Sequence, residues 1–193
     1  MNHLVISALE TVDDEVEAVE RKGFGHPDTI CDALAEELSR HLCREYRPRF
    51  GDILHHNLDK ALLSGGRSAP AFHGGTFISP INIYLAGRAI SEAGNEVLPI
   101  REIAIESSRA WLAANLHALD AEQHVRIHAL IHPGSHDLQT LFSRRAAQIP
   151  LANDTSIGVG HAPLTKLERL VLAIERTINA PDRCRHNPSW GET

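Results

Sequence analysis

A glycine turn that runs into a helix start is the densest group of chemically capable residues in this sequence. It reads Gly23-Phe24-Gly25-His26-Pro27-Asp28. Backbone N–H groups at a helix amino terminus point outward at positive potential and bind phosphate oxygens, and His26 adds a donor. Asp28 offers a carboxylate for Mg²⁺, which takes one or two carboxylates together with substrate phosphates. Glycine turns before helices are common, so the pattern by itself favours a plain helix start that Asp28 only caps.

A second polar group follows at residues 55–60, where two histidines precede Asn57, Asp59 and Lys60. Neighbouring residues of a strand face opposite sides, so His55 and His56 cannot both serve one site. Asp59 is a candidate cation ligand, and Lys60 is a candidate partner for a phosphate. A solvated strand end has the same composition, and the spacing alone favours that interpretation.

A third polar group, Asn153-Asp154-Thr155-Ser156, lies in a loop of small residues that runs from Pro150 to Gly160. Such loops bring the backbone close to a ligand, and an aspartate there often binds a ribose hydroxyl or an ammonium group. A plain Asx-turn would have the same sequence.

Histidines recur at every fourth position from His124 to His136. The segment alternates apolar and polar residues as a strand does, which separates histidines on one face by roughly 13 Å. That distance is too long for one ion, so we expect no zinc site there. The pair Cys184 and His186, near the carboxyl end, is a still weaker candidate.

The periodicity of apolar residues predicts both helices and strands, and these elements carry the polar groups described above. The helices are expected over Pro27–Tyr46, ended by Pro48 and Gly51, from Pro99 through Leu116, and over Leu164–Ile178. The strands are expected over Val16–Lys22, Asp52–Asn57, Leu62–Leu63, Phe77–Ala89 with an interruption near Pro80, and Val125–His132. Because the two types mix without βαβ alternation, the order predicts an α+β fold. We expect one such region over residues 1–179 and an irregular tail over residues 180–193.

Composition argues against several classes of protein. The chain has 193 residues, with 19 Lys plus Arg against 25 Asp plus Glu and a formal net charge of −6. Proteins that bind phosphate backbones normally carry a basic surplus, so nucleic acid is not an expected partner. Neither a membrane-spanning apolar run nor a signal-peptide pattern is present, so the sequence predicts a cytoplasmic protein without membrane contact. The three cysteines are expected to be reduced.

The polar groups together resemble those of the archaeal-type S-adenosylmethionine synthetases, also called methionine adenosyltransferases. The likeness covers Glu20–Asp32, His55–Asp59 and Pro150–Leu164 in order and in register, and runs nearly continuously from Val16 to about Ile178. It implies an enzyme in which the sulfur of methionine attacks C5′ of ATP, with release of the triphosphate and its cleavage in the same site. It also implies α+β units with flat sheets, paired so that active sites lie between subunits.

The resemblance assigns roles to individual residues. His26 matches the catalytic histidine that stabilises charge on the leaving 5′ oxygen, and Asp28 matches the Mg²⁺ aspartate, while Lys60 is a candidate for one phosphate contact. Asp59 is expected near the metal or the substrate, as a second candidate metal ligand. Substrate and nucleotide contacts are expected from Gly25, His26, Asp59, Asn153, Asp154 and Ser156. The implied cofactor is Mg²⁺, with K⁺ as a second candidate cation.

The sequence also departs from the family pattern. Family members are about twice as long, and the other half carries most of the lysines and arginines around the triphosphate. Leu130 stands where the family usually has Arg, His132-Pro133 replaces a Gly-Gln pair, and His73, His161 and Lys60 replace a Gly, a Tyr and a Gln.

Three interpretations therefore stay open. The favoured one is a half-length subunit that binds ATP and methionine together with a second half-length chain. The second is a short homo-oligomeric enzyme of the same type, acting on ATP or a related nucleotide. The third is a non-catalytic nucleotide-binding or regulatory homologue.

Overall fold

The fold is a mixed α+β arrangement, as the sequence predicts. The computed structural model describes residues 16–72, 74–93, 96–116, 118–134 and 160–180. The helices are α1 (Pro27–Phe50), α2 (Ile100–Asn115) and α3 (Lys166–Ile178). The strands are β1 (His56–Ser64), β2 (Arg67–Ala71), β3 (Gly74–Ser79), β4 (Ile81–Ala89), β5 (Glu92–Ala93), β6 (Glu96–Val97) and β7 (Val125–His132). No helix within the described ranges is long and apolar enough to cross a membrane.

Helix α1 is fixed to the sheet by one apolar stripe. Its residues repeat every four positions and all are buried: Ile30, Leu34, Leu38, Leu42 and Tyr46. The expected end at Tyr46 is wrong, because the helix continues through Pro48 to Phe50. A proline in the last turn removes only its own N–H, and Gly51 then ends the helix in the left-handed region, with φ of 74°.

Three strands form the main sheet in the order β1-β4-β7. Strand β4 pairs antiparallel with β1 and parallel with β7. One face packs against α1 and α2, where Ile83, Leu85 and Val125 are at most 2% exposed. The opposite face includes Leu62 and Leu130, which are 61% and 50% exposed. The helices therefore cover one face of the sheet, and apolar side chains remain accessible on the other.

Strand β1 contains a bulge at Leu58 and Asp59. Asn57 pairs with Arg88 and Lys60 with Ala86, so these two residues oppose Gly87 alone. The bulge shifts the alternation of exposure, so that Asp59 and Lys60 are both exposed instead of facing opposite sides. The two short strands expected at Asp52–Asn57 and Leu62–Leu63 are thus wrong in extent, because one bulged strand spans His56–Ser64.

The remaining expected elements have different outcomes. The break near Pro80 is confirmed, because β3 and β4 meet there, and the strand at Val125–His132 is confirmed unchanged. The strand at Val16–Lys22 is wrong, because this segment pairs with no strand of the described residues. The hairpin of β2 and β3 spans residues 67–79, where the sequence predicts a strand only from Phe77 onward. Of the expected tail over residues 180–193, all but Ala180 lies outside the described residues.

The bulge predicts that Gly87 is intolerant of a side chain. A Cβ there would lie 2.2 Å from the backbone oxygen of Asn57. We expect Gly87→Ala to lower the free energy of unfolding by about 1–3 kcal/mol, as overpacking does, in urea denaturation. Gly65→Ala is the control, because nothing lies within 4 Å of its Cβ position, and it should change stability by less than about 0.5 kcal/mol. Equal stabilities of the two variants would contradict the bulge.

Candidate functional site

His26 caps the amino terminus of α1. Its Nδ1 accepts a hydrogen bond of 3.1 Å from the backbone N–H of Asp28, and its carbonyl accepts the first helical bond, from Ile30. The His26 N–H in turn donates to the Gly23 carbonyl at 3.2 Å, which closes the glycine turn. Because Nδ1 is an acceptor here, the neutral imidazole carries its proton on Nε2. The side chain is 39% exposed, so the ring presents a donor at the helix amino terminus.

The carboxylate of Asp28 does not cap the helix. It accepts a hydrogen bond from Nζ of Lys22, on the other side of the glycine turn, and this ion pair lowers the pKa of Asp28. The interpretation of Asp28 as a simple cap is therefore wrong, because the His26 ring holds the capping position. An ionised and 60% exposed carboxylate in the first turn suits a divalent cation.

An aromatic stack holds the glycine turn against the core. The ring of Phe24 lies parallel to that of Trp111 on α2, with centroids 6.1 Å apart and an interplanar angle of 8°. In the sequence, Trp111 is only one apolar residue of the helix expected from Pro99 through Leu116. The only signal in the sequence is that Phe24 lies in the glycine turn and Trp111 in an apolar helix. That does not identify the two rings as a contacting pair.

The N-cap residue of α3, Thr165, and one side chain of the helix itself, Glu175, bind the segment that precedes the turn. Glu17 accepts a hydrogen bond from Thr165, and Arg21 forms an ion pair of 3.5 Å with Glu175. This segment borders an open cavity of about 630 Å³ whose lining includes Glu20, Arg21 and Lys22. The described residues that line the cavity are thus those that directly precede the glycine turn in the chain.

Asp59 and Lys60 form a second ion pair, of 2.8 Å, on the exposed side of the bulge. Lys60 lowers the pKa of the Asp59 carboxyl by hydrogen bonding to it. Within the described part of the chain, no hydrogen bond or ion pair joins this pair to His26 or Asp28. The structure therefore brings Gly25, His26 and Asp28 together at one helix end, and keeps Asp59 with Lys60 as a separate pair on β1.

The start of α1 nevertheless packs close to β1. The thiol of Cys31, in the first turn, is hydrogen bonded to the backbone of Leu63. Burial raises the pKa of this thiol, which outweighs the opposing effect of that hydrogen bond. Helix α1 and strand β1, which carry the two polar groups, thus pack directly against each other, which suits a site that must keep fixed distances.

Two other histidines, His56 and His128, have structural contacts. His56 joins α1 to the chain before β1, because Nδ1 lies 2.9 Å from the Leu54 carbonyl and Nε2 2.9 Å from the Ser39 hydroxyl. His128 lies 2.9 Å from Asn82 Oδ1 and stacks on Tyr84. No group of three metal-ligating side chains occurs among the residues that the structure describes. These imidazoles stabilise the sheet and its junction with α1.

Several predicted site residues lie outside the described ranges. They are Asn153, Asp154 and Ser156, together with His73, His136, Cys184 and His186. Among the described residues, the pattern missed Lys22 as the partner of Asp28. The signal available was that Lys22 is one of only three lysines and directly precedes the turn.

Comparison with known proteins agrees with this architecture. The chain belongs to the S-adenosylmethionine synthetase (AdoMet synthetase) family, whose model it matches over residues 4–193. It is 50% identical over 197 residues to a probable S-adenosylmethionine synthase of Aquifex aeolicus, covering 100% of this chain and 49% of the relative.

Two archaeal relatives give the same picture. The chain is 49% identical to the S-adenosylmethionine synthase of Pyrococcus furiosus, over 92% of its own length and 45% of the relative's. It is 44% identical to that of Methanocaldococcus jannaschii, over 100% of its own length and 50% of the relative's. The chain thus spans about half the length of the curated relatives that it matches.

The stack predicts that Phe24 keeps the glycine turn ordered. We expect Phe24→Ala to lower the free energy of unfolding by about 1–2 kcal/mol. The variant loses the buried apolar surface of the ring and, in addition, the aromatic pair, which contributes about 0.5–1.5 kcal/mol. Backbone amides of residues 23–30 should exchange hydrogen faster, as measured by mass spectrometry. Phe72→Ala is the matched control, because Phe72 is 100% exposed. Unchanged exchange in the Phe24 variant would show that the stack does not hold the turn.

Proposed function

We propose that this chain carries the histidine-bearing part of a methionine adenosyltransferase site, in which methionine sulfur attacks C5′ of ATP and expels the triphosphate. The observation that carries the proposal is the cap of α1. Because the Asp28 amide holds Nδ1 of His26, the ring offers its Nε2–H at a helix amino terminus, next to an ionised carboxylate. That combination suits a leaving group that gains negative charge.

The chain's own residues have distinct tasks in this proposal. His26 donates to the 5′ oxygen as the C–O bond breaks, an interaction that strengthens only in the transition state. The amides of the glycine turn around Gly25 receive phosphate oxygens. Asp28 would hold Mg²⁺, with Asp59 as a second candidate ligand, and the ion when bound neutralises triphosphate charge. Lys60 is positioned on the exposed face for a phosphate contact once it leaves Asp59.

We further propose that another chain segment completes the site, as a half-length partner would. Within the described residues, Arg21, Lys22 and Lys60 are each already paired with a carboxylate. Even when a divalent cation releases Lys22 or Lys60, a triphosphate in a partly desolvated site carries more negative charge than these two side chains neutralise, so we infer that further cations come from elsewhere. The exposed Leu62 and Leu130 on the open face of the sheet support assembly with a further chain or a second copy.

His26 can be tested separately from the stability of α1. Asparagine is also a good cap, so His26→Asn should keep the bond from the Asp28 amide and change the free energy of unfolding by less than about 0.5 kcal/mol. In whichever assembly is active, it should lower kcat about 10²–10³-fold, with a much smaller change in the KM for ATP. His26→Ala should reduce kcat as well, and it should also lower the free energy of unfolding by about 1 kcal/mol because the cap is lost. A kcat unchanged in His26→Asn would remove the imidazole from the mechanism.

Completion of the site can be tested by reconstitution. We expect the purified chain alone to form little S-adenosylmethionine from ATP and methionine. Addition of the separately expressed carboxyl-terminal half of the Aquifex aeolicus relative should raise product formation at least tenfold, as followed by mass spectrometry. The same mixture with His26→Asn chain controls for contaminating host enzyme. Full turnover by the chain alone would favour the stand-alone homo-oligomer, whereas nucleotide binding without turnover in any mixture would favour a regulatory homologue.

A further inference from the structure

Lys22 has a position that the proposed reaction does not explain. It lies in the irregular segment before the glycine turn, and its Nζ reaches across the turn to the Asp28 carboxylate. It also borders the open cavity beside Glu20 and Arg21. The ion pair is accessible from outside, because the Lys22 and Asp28 side chains are 47% and 60% exposed.

We propose that Lys22 is an exchangeable counter-ion of this site. Without a divalent cation it neutralises Asp28, and when Asp28 binds such a cation the ammonium group turns into the cavity and binds a phosphate oxygen of the nucleotide. The inference deepens the proposed function and rests on it, because it assigns a second task to a residue beside the same helix terminus.

The chemistry of the two partners makes this exchange feasible. An ammonium group and a divalent cation compete for the same carboxylate oxygens, and an exposed ion pair is weak enough to be displaced. Lysine carries its charge on a flexible four-carbon stem, so Nζ can move several ångströms without any change in the backbone. The released charge then lies beside the amino terminus of α1, where phosphate is already favoured.

Other cations near the turn are less free to move. The Arg21 guanidinium pairs with Glu175 on α3, which ties it to another element. Lys60 pairs with its chain neighbour Asp59 on β1, and no hydrogen bond or ion pair joins it to Asp28 within the described residues. Lys22 is therefore the cation that both contacts Asp28 and borders the cavity.

Two titrations of the full chain test the exchange. The first measures the affinity for Mn²⁺ alone, without nucleotide, by electron paramagnetic resonance. Lys22→Met should bind Mn²⁺ roughly two- to five-fold more tightly, because the Lys22 ammonium group no longer competes for the Asp28 carboxylate and an exposed ion pair is a weak competitor. The second measures the affinity for inorganic tripolyphosphate at saturating Mg²⁺ by calorimetry. There Lys22→Met should bind roughly three- to ten-fold more weakly.

Controls separate exchange from a general loss of positive charge. Lys166→Met removes the same charge from an exposed position at the start of α3 and should change neither affinity. Lys22→Arg keeps the charge and should restore tripolyphosphate binding. In an Asp28→Asn background, Lys22→Met should no longer tighten Mn²⁺ binding, because the shared carboxylate is gone.

Opposite shifts in the two titrations support the exchange. Shifts of both affinities in the same direction would overturn it, as would equal shifts in Lys166→Met. It would also be overturned if either titration showed no shift or no measurable binding. Neither titration requires turnover, so failure of the proposed function shows separately, as absence of S-adenosylmethionine from the reconstituted mixture.

Discussion

One hydrogen bond, from the Asp28 amide to Nδ1 of His26, determines the geometry of the whole helix start. It satisfies a backbone donor that α1 would otherwise leave unpaired. It also selects the ring tautomer, so that the only proton of the neutral imidazole is on Nε2. Because the ring takes the capping position, the Asp28 carboxylate is left to contact Lys22. Cap, donor and carboxylate are thus consequences of a single interaction rather than three independent features.

That interaction is useful only if α1 is held still, and its packing achieves this. The buried stripe from Ile30 to Tyr46 covers the sheet, and the Tyr46 hydroxyl donates to the Ile90 carbonyl at 2.7 Å. At the other end, the Phe24–Trp111 stack ties the turn to α2. The apolar core therefore fixes the helix while the polar atoms at its amino terminus remain at the surface. At this helix start the charged groups of Lys22 and Asp28 are therefore both exposed and paired with each other, which avoids the cost of burying an unpaired charge.

Much of this architecture could be predicted from the sequence, because it depends on local patterns. The four-residue apolar repeat of α1, the strand alternation of β7 and the break at Pro80 each act within a few residues. The bulge at Asp59 could not be predicted, since it depends on Gly87, a residue of another strand. The strand expected at Val16–Lys22 failed for a similar reason, because alternation does not supply a pairing partner. Likewise, the partner of Asp28 lies across a turn whose path the glycines leave undetermined.

The pairing of charges sets the conditions for binding an anion. Lys22 and Lys60, two of the three lysines, are each engaged by an aspartate, so both local pairs are close to neutral. An incoming phosphate therefore meets amide donors and a histidine, but no free ammonium group on either pair. Net attraction then requires that a cation arrive with the anion or that a pair open. A divalent cation does both, since it takes the carboxylate and releases the lysine. Anion and metal binding are consequently linked at this helix terminus, and each should strengthen the other.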